Sequence, residues 1–275
     1  MELPKRGGGS NDMSTVLESI IEGVREDVKR REVPLSQLRD RLESAPDLRG
    51  ALTALKASGT QVISEVKRSS PSKGALADIP SPGKLAEQYQ EGGAAVVSVL
   101  TEERRFNGSI ADFLEVRSAI ELPLLRKDFI VTEFQVLESR VIGADLLLLI
   151  VAGLKQSEYI DFYQMSTELG MDVLVEVHNQ EELERAFDVN PKIVGVNSRN
   201  LKTLDLDPRI FDELIPQIPV GTIAVAESGI SLRSEVAHIE SLGGKAILVG
   251  ESLVKAGNPA RAIAELKGLA EAGTF

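Results

Sequence analysis

With 275 residues, 43% of them hydrophobic, the chain can bury a large core as one α/β barrel or sandwich, or as two smaller domains. A formal net charge of −11 argues against nucleic acid or an anionic membrane as the main partner, yet it permits a local cluster of cations that receives a small anion. There is no cysteine, which excludes disulfides and thiolate chemistry, and the two histidines, His178 and His238, lack the spacing of a metal site.

Residues 1–12 contain Gly7-Gly8-Gly9-Ser10 and read as a flexible leader outside the fold. From a cap at Ser14 or Thr15, Leu17, Ile20, Ile21, Val24 and Val28 follow the i, i+3, i+4 rule and predict a helix with one apolar stripe. Its Glu18, Glu22 and Asp27 are incompatible with a secretory signal. No apolar stretch is long enough to span a bilayer, and a cytoplasmic location is expected. Pro34 closes the first helix, and two shorter ones, from about Ser36 and from about Asp47, complete a helical extension over 13–60.

From there to the C-terminus, 61–275, one unit repeats: an apolar strand, a polar or glycine-bearing loop, and a helix. The strands are predicted at Val62 to Lys67, Ala95 to Leu100, Leu122 to Lys127, Leu146 to Val151, Asp172 to Val177, Ile193 to Asn197, Thr222 to Ala226 and Ala246 to Gly250. The helices between and after them are Pro82 to Gly92, Ser109 to Ala119, Glu133 to Ile142, Gln156 to Leu169, Gln180 to Phe187, Asp207 to Ile215, Leu232 to Leu242 and Asn258 to Gly273. Strict alternation with Val/Ile/Leu-rich strands means a parallel sheet covered by helices, and eight such units close into a (β/α)8 TIM barrel of the α/β class. The rival, an open doubly wound sheet, commonly has a glycine-rich first turn; Arg68-Ser69-Ser70-Pro71-Ser72-Lys73-Gly74 carries no such fingerprint.

Barrels of this kind do their chemistry at the C-terminal ends of the strands. Strand one ends in Glu65 and Lys67, which share a face with Ile63; strand three ends in Lys127-Asp128, five in Glu176, six in Asn197 and Arg199, and seven in Glu227-Ser228. Alone, the Glu65–Lys67 pair would be an ordinary edge-strand salt bridge. Recurrence of inward-capable ions at one strand end after another, in register with Leu125, Leu174 and Val225, marks a site instead. Glycines follow strands seven and eight, as Ser228-Gly229 and Gly250-Glu251-Ser252; they read as a phosphate cup or, separately, as tight turns. His178 reads as a strand cap, Lys73-Gly74 as a lid or an ordinary loop, and Lys202 and Asp205 as solvated charges.

The chain resembles the indole-3-glycerol phosphate synthase family. The resemblance is carried by Glu65-Val66-Lys67-Arg68-Ser69-Ser70-Pro71-Ser72, Leu125-Arg126-Lys127-Asp128-Phe129, Leu174-Val175-Glu176-Val177, Gly195-Val196-Asn197-Ser198-Arg199-Asn200-Leu201 and Ala226-Glu227-Ser228-Gly229-Ile230. It implies conversion of 1-(2-carboxyphenylamino)-1-deoxyribulose 5-phosphate to indole-3-glycerol phosphate in tryptophan biosynthesis, by ring closure, decarboxylation and dehydration, with no cofactor and no metal. By resemblance, Lys127 is the general acid and Glu176 the general base. Lys67, set by Glu65, grips the substrate carboxylate or assists a later proton transfer. Ser70, Asn197, Arg199, Glu227 and Ser228 line the substrate pocket, where Phe106 and Phe129 stack on the aryl ring or belong to the core. Gly229, Gly250 and Glu251 hold phosphate; some relatives have a small residue in place of Glu251, so the backbone amides must do the binding there. The implied partner is an anionic phosphosugar bearing anthranilate, and association with other enzymes of the pathway is left open. Two other readings remain at this stage, a phosphoribosyl isomerase barrel with another acid/base pair and a phosphosugar-binding barrel without catalysis.

Overall fold

The structure is a computed structural model that describes residues 15–269; the leader at 1–12 and the end of the last predicted helix lie outside that range. Eight short apolar runs form parallel strands: β1 (Gln61–Val66), β2 (Val96–Leu100), β3 (Leu124–Lys127), β4 (Leu146–Ile150), β5 (Asp172–Val177), β6 (Ile193–Asn197), β7 (Ile223–Glu227) and β8 (Ala246–Val249). The sheet closes because β1 pairs on both sides, Ile63 with Val96 of β2 and Gln61 with Ala246 of β8. This is the TIM barrel that the alternation predicts.

Among the described residues three α-helices precede the barrel: α1 (Val16–Arg31), α2 (Leu35–Arg41) and α3 (Ala51–Leu55). The connecting helices are α4 (Pro82–Glu91), α5 (Ile110–Ala119), α6 (Glu133–Val141), α7 (Gln156–Glu168), α8 (Gln180–Ala186), α9 (Arg209–Leu214) and α10 (Arg233–Ser241). Two more follow β8, α11 (Glu251–Val254) and α12 (Pro259–Leu266). Their starts are written locally: Ser81, Ser109, Thr132, Asn179 and Asn258 each accept the N3 amide of α4, α5, α6, α8 and α12. The four-residue α11 and a two-residue hairpin, Ser69–Ser70 with Gly74–Ala75, are not visible in the hydrophobic pattern, since neither is long enough to show a period.

Two boundaries move for physical reasons. The third helix starts at Ala51 and not near Asp47, because the preceding backbone is committed elsewhere: the Arg49 amide donates to Asp145, and its guanidinium to the carbonyls of Ile120, Leu122 and Arg117. Strand β3 starts at Leu124 and not at Leu122, after Pro123, which has no N–H to donate to a ladder.

Helix α1 is capped by Thr15 in a capping box with Glu18, and it buries Leu17, Ile20, Val24 and Val28. It also holds the loop after β2. Arg104 reaches Asp27 and Glu26, Arg105 donates to Ser19 at 3.0 Å, and the buried Glu102 carboxylate accepts the amides of Arg104, Arg105 and Phe106. Phe106 is thereby fixed at the barrel mouth.

Candidate active site

Strand parity builds the site. On β1, Glu65 is buried and its Oε1 lies 2.5 Å from Lys67 Nζ, while Oε2 is 3.5 Å from Ser98 Oγ on β2. The Tyr89 hydroxyl donates to the Glu65 carbonyl at 3.1 Å. On β3, Lys127 turns inward and places Nζ 3.5 Å from Glu176 Oε2 and 3.8 Å from Glu227 Oε2, whereas Arg126 turns outward to Gln135 and Ser139 of α6. Asn197 on β6 lies opposite Glu227 on β7 in the ladder, and its Oδ1 accepts the Arg199 amide at 3.0 Å.

Gly195 makes room for this arrangement. A Cβ there would lie 2.0 Å from Glu227 Oε1, so the glycine inside β6 is a place where a side chain from the next strand crosses. Gly250 does the same for Glu65, whose Oε1 would stand 2.8 Å from an added Cβ.

The electrostatics of Lys127 follow from the groups nearest to it. Its neighbours are carboxylates. Burial alone would lower its pKa, but Glu176, Glu227 and Glu65 outweigh burial and hold the ammonium above the ordinary lysine range. Burial opposes ionisation of Glu65 and Glu176 as well; Lys67 and Lys127 overcome it for Glu65, and Lys127, His178 and Asn197 for Glu176, so both carboxyls sit below their usual range. Glu227 goes the other way, because burial and the Glu176 charge together exceed the attraction of Lys127 and raise its pKa well above the ordinary carboxyl range. The cluster therefore holds carboxyls shifted in opposite directions within reach of one ammonium.

The cleft above these groups has two lobes, which share Glu65, Lys67, Lys127, Arg199, Ser228 and Glu251. One lobe, of about 330 Å³, runs past Gly229, Ile230, Gly250 and Ser252. In it Ser228 and Gly229 are both left-handed, with φ of +70° and +75°, and the Glu251 carboxylate takes Lys73 and Lys255 at 2.7 Å each. The other lobe, of about 90 Å³, is lined by Ser70, Phe106, Phe129, Glu176 and Asn197. Its two phenylalanine rings are 6.3 Å apart between centroids and tilted by 42°. All the residues expected at the site thus converge on one cleft, Phe129 being part of the core as well.

Four contributors escape the sequence reading: His178, Gly195, Ser98 and Glu102. His178 was readable as a strand cap, yet its Nε2 is 3.1 Å from Glu176 Oε1. Its position two residues after Glu176 was the available signal, because i and i+2 share a face of a strand.

Comparison with known proteins now bears on this site. The chain matches the family described as indole-3-glycerol phosphate synthase over residues 17–266. It is 52% identical over 260 residues to the indole-3-glycerol phosphate synthase of Paenarthrobacter aurescens, covering 92% of this chain and 96% of that one. With the enzyme of the same name from Mycolicibacterium smegmatis it shares 49% over 255 residues, covering 92% and 94%. Among solved structures, the 3-hexulose-6-phosphate synthase of Salmonella typhimurium superimposes with a TM-score of 0.61 at 12% identity, over 76% of this chain and 98% of that one. A chain of the tryptophan synthase α2β2 complex of Pyrococcus furiosus gives 0.58 at 18%, again over 76% and 98%. Those two likenesses concern the fold. On the match over 17–266 and the identity to its relatives, the chain belongs to the indole-3-glycerol phosphate synthase family.

Proposed function

We infer that the chain closes, decarboxylates and dehydrates 1-(2-carboxyphenylamino)-1-deoxyribulose 5-phosphate, with Lys127 as acid and Glu176 as base. The observation that carries the division of roles is the Lys127 ammonium 3.5 Å from Glu176 inside a cleft that ends in a glycine-lined cup. In the first step the aryl carbon bearing the carboxylate attacks the ketone carbon, and Lys127 protonates the oxygen that becomes alkoxide. An alkoxide is far more basic than an amine, so a raised lysine pKa does not block this transfer. Carbon dioxide then leaves and its bonding pair restores the ring. The hydroxyl leaves as water on a proton drawn from solvent, and Glu176 takes the proton of the methylene carbon beside the nitrogen, which completes the indole; two protons given and one taken match the one consumed when a carboxylate departs as carbon dioxide. Having given up its proton, Lys127 no longer holds the Glu176 pKa down, so Glu176 becomes a stronger base at the step that needs one.

The phosphate and aryl carboxylate of the substrate account for Lys67, Lys73, Lys127 and Arg199 gathering at one mouth of an acidic protein. Gly229, Gly250 and the backbone at Glu251 seat the phosphate; the aryl ring lies in the lobe of Phe106 and Phe129. Cytoplasmic action fits a chain in which no helix among the described residues is long and apolar enough to cross a membrane.

Turnover with this substrate, followed by indole fluorescence, tests the reading, and the absence of tryptophan from the chain leaves little protein background. One carbon dioxide per indole is expected. An isomerase barrel would release none, and a binding barrel would consume no substrate. The cup has its own test in Gly229→Val. Space at that Cβ is open, the nearest atom being 3.6 Å away, so the cost comes from forcing a β-branched residue into left-handed backbone, roughly 1–2 kcal/mol. The loop is expected to shift and KM to rise about tenfold with kcat little changed and a native circular dichroism spectrum. An unaltered KM removes Gly229 from phosphate binding.

A further inference from the structure

We propose that His178, clamped by Glu182, is a positioning residue for the base: it commits one oxygen of Glu176 to itself and so presents the other to the substrate. The proposal rests on the reading of Glu176 as the base.

His178 follows the last residue of β5, two positions after Glu176, and its imidazole turns to the same side. The imidazole sits between two carboxylates, hydrogen-bonded through Nδ1 and in ion-pair contact through Nε2, which has no aligned hydrogen bond. Its Nε2 lies 3.1 Å from Glu176 Oε1, and its Nδ1 lies 2.9 Å from Glu182 Oε2, an oxygen that also accepts the His178 amide at 2.8 Å. Glu182 is itself fixed at the third position of α8, where its amide donates to the Asn179 cap and its Oε1 accepts from the Asn179 side chain at 2.7 Å. The start of a helix thereby anchors an imidazole inside the barrel mouth. The consequence for Glu176 is a division of labour between its oxygens. Oε1 faces His178 at 3.1 Å, while Oε2 is buried and faces the Lys127 ammonium at 3.5 Å. With Oε1 against the imidazole, Oε2 is the oxygen that faces the acid and is left to take a proton.

The charged groups packed against the imidazole are Glu176 on β5 and Glu182 on α8. Glu176 in turn faces Lys127 of β3 and Glu227 of β7. Burial lowers the His178 pKa, but the two carboxylates reverse this and push it up to about 9. A group with a raised folded pKa stabilises the fold fully below its unfolded value, about 6.5, and that contribution is lost as pH rises through about 9. Base positioning should fail over the same interval.

His178→Gln and Glu182→Gln test the proposal from opposite sides. Glutamine at 178 keeps a donor at similar reach but cannot titrate, so kcat should fall about three- to tenfold at neutral pH with KM unchanged, and the alkaline limb of wild-type kcat near pH 9 should vanish. Glutamine at 182 preserves the helix cap but removes the anchoring charge, so the limb should move towards neutral pH. Proton NMR of the imidazoles reads the same contact without activity. The chain has only His178 and His238, and the signal lost in His178→Gln is assigned to His178, which should titrate near 9 in the wild type and lower in Glu182→Gln. Wild-type turnover with a wild-type pH profile in both variants would overturn the positioning role; absence of wild-type turnover would instead overturn the reaction. If His178→Gln does not fold, the Glu182→Gln limb and titration decide alone.

Discussion

In a single turnover, Glu176→Gln is expected to release carbon dioxide at close to the wild-type rate and to form indole about 10²- to 10⁴-fold more slowly. Glutamine matches the shape of the carboxylate and can still accept a contact from His178, but it cannot take the proton that dehydration releases. Lys127→Ala should differ in kind. Without the ammonium no proton reaches the ketone oxygen, so ring closure slows by a similar factor and carbon dioxide and indole are delayed together. KM should move less than kcat in both, since phosphate and carboxylate are held elsewhere in the cleft. Equal slowing of both signals in the Glu176 variant would place its role before decarboxylation, and Lys67 would then be the next candidate for a share of the proton transfers.

The second large effect is expected at a residue with no side chain. Gly195→Ala puts a methyl group where Glu227 Oε1 already stands, 2.0 Å away, on a strand that cannot give because it is paired on both sides. Overpacking of this kind costs about 1–3 kcal/mol, and displacing a carboxyl beside the catalytic ammonium by about an ångström costs of order 10² in kcat. Calorimetry and kcat should therefore fall together. Gly257→Ala, with nothing within 4 Å of the added Cβ, serves as the indifferent control. Shortening the conflicting side chain offers a sharper check: in Gly195→Ala with Glu227→Asp the stability loss should be less than the sum of the two single changes. Additive losses would mean that the methyl group strains something other than Glu227.

How much of this was legible in the sequence follows from what side-chain periodicity encodes. Glu65, Lys127, Glu176 and Glu227 each close an apolar run at the right parity, so one residue of context fixes the face they occupy. The same rule would have placed His178 beside Glu176, but a histidine after a strand is also a common way to finish one, and nothing local shows Glu182 folding back from the helix. Gly195 was hidden for a different reason. Its meaning lies in a contact with β7, and a pairing register between strands far apart in the chain is not written in either strand alone. Charge environment was the least accessible property: Lys127 looks cationic in company when the lysines are read in line, and only the closed barrel sets three carboxyl groups around it.

That closure has a consequence for the order in which the protein comes alive. Gly250 stands against Glu65, so the two ends of the barrel sequence meet inside the site itself, along the seam where β1 pairs with β8. Contacts between the first and last strands are the most distant in the chain, and forming them carries the largest loop-closure cost. A nascent chain still short of β8 has most of its helices and both proton-transfer residues, yet it lacks a wall behind Glu65 and one side of the glycine cup. Synthesis therefore acts as a timer: the anionic substrate meets a finished receptor only after the final strand has left the ribosome and zipped onto the first.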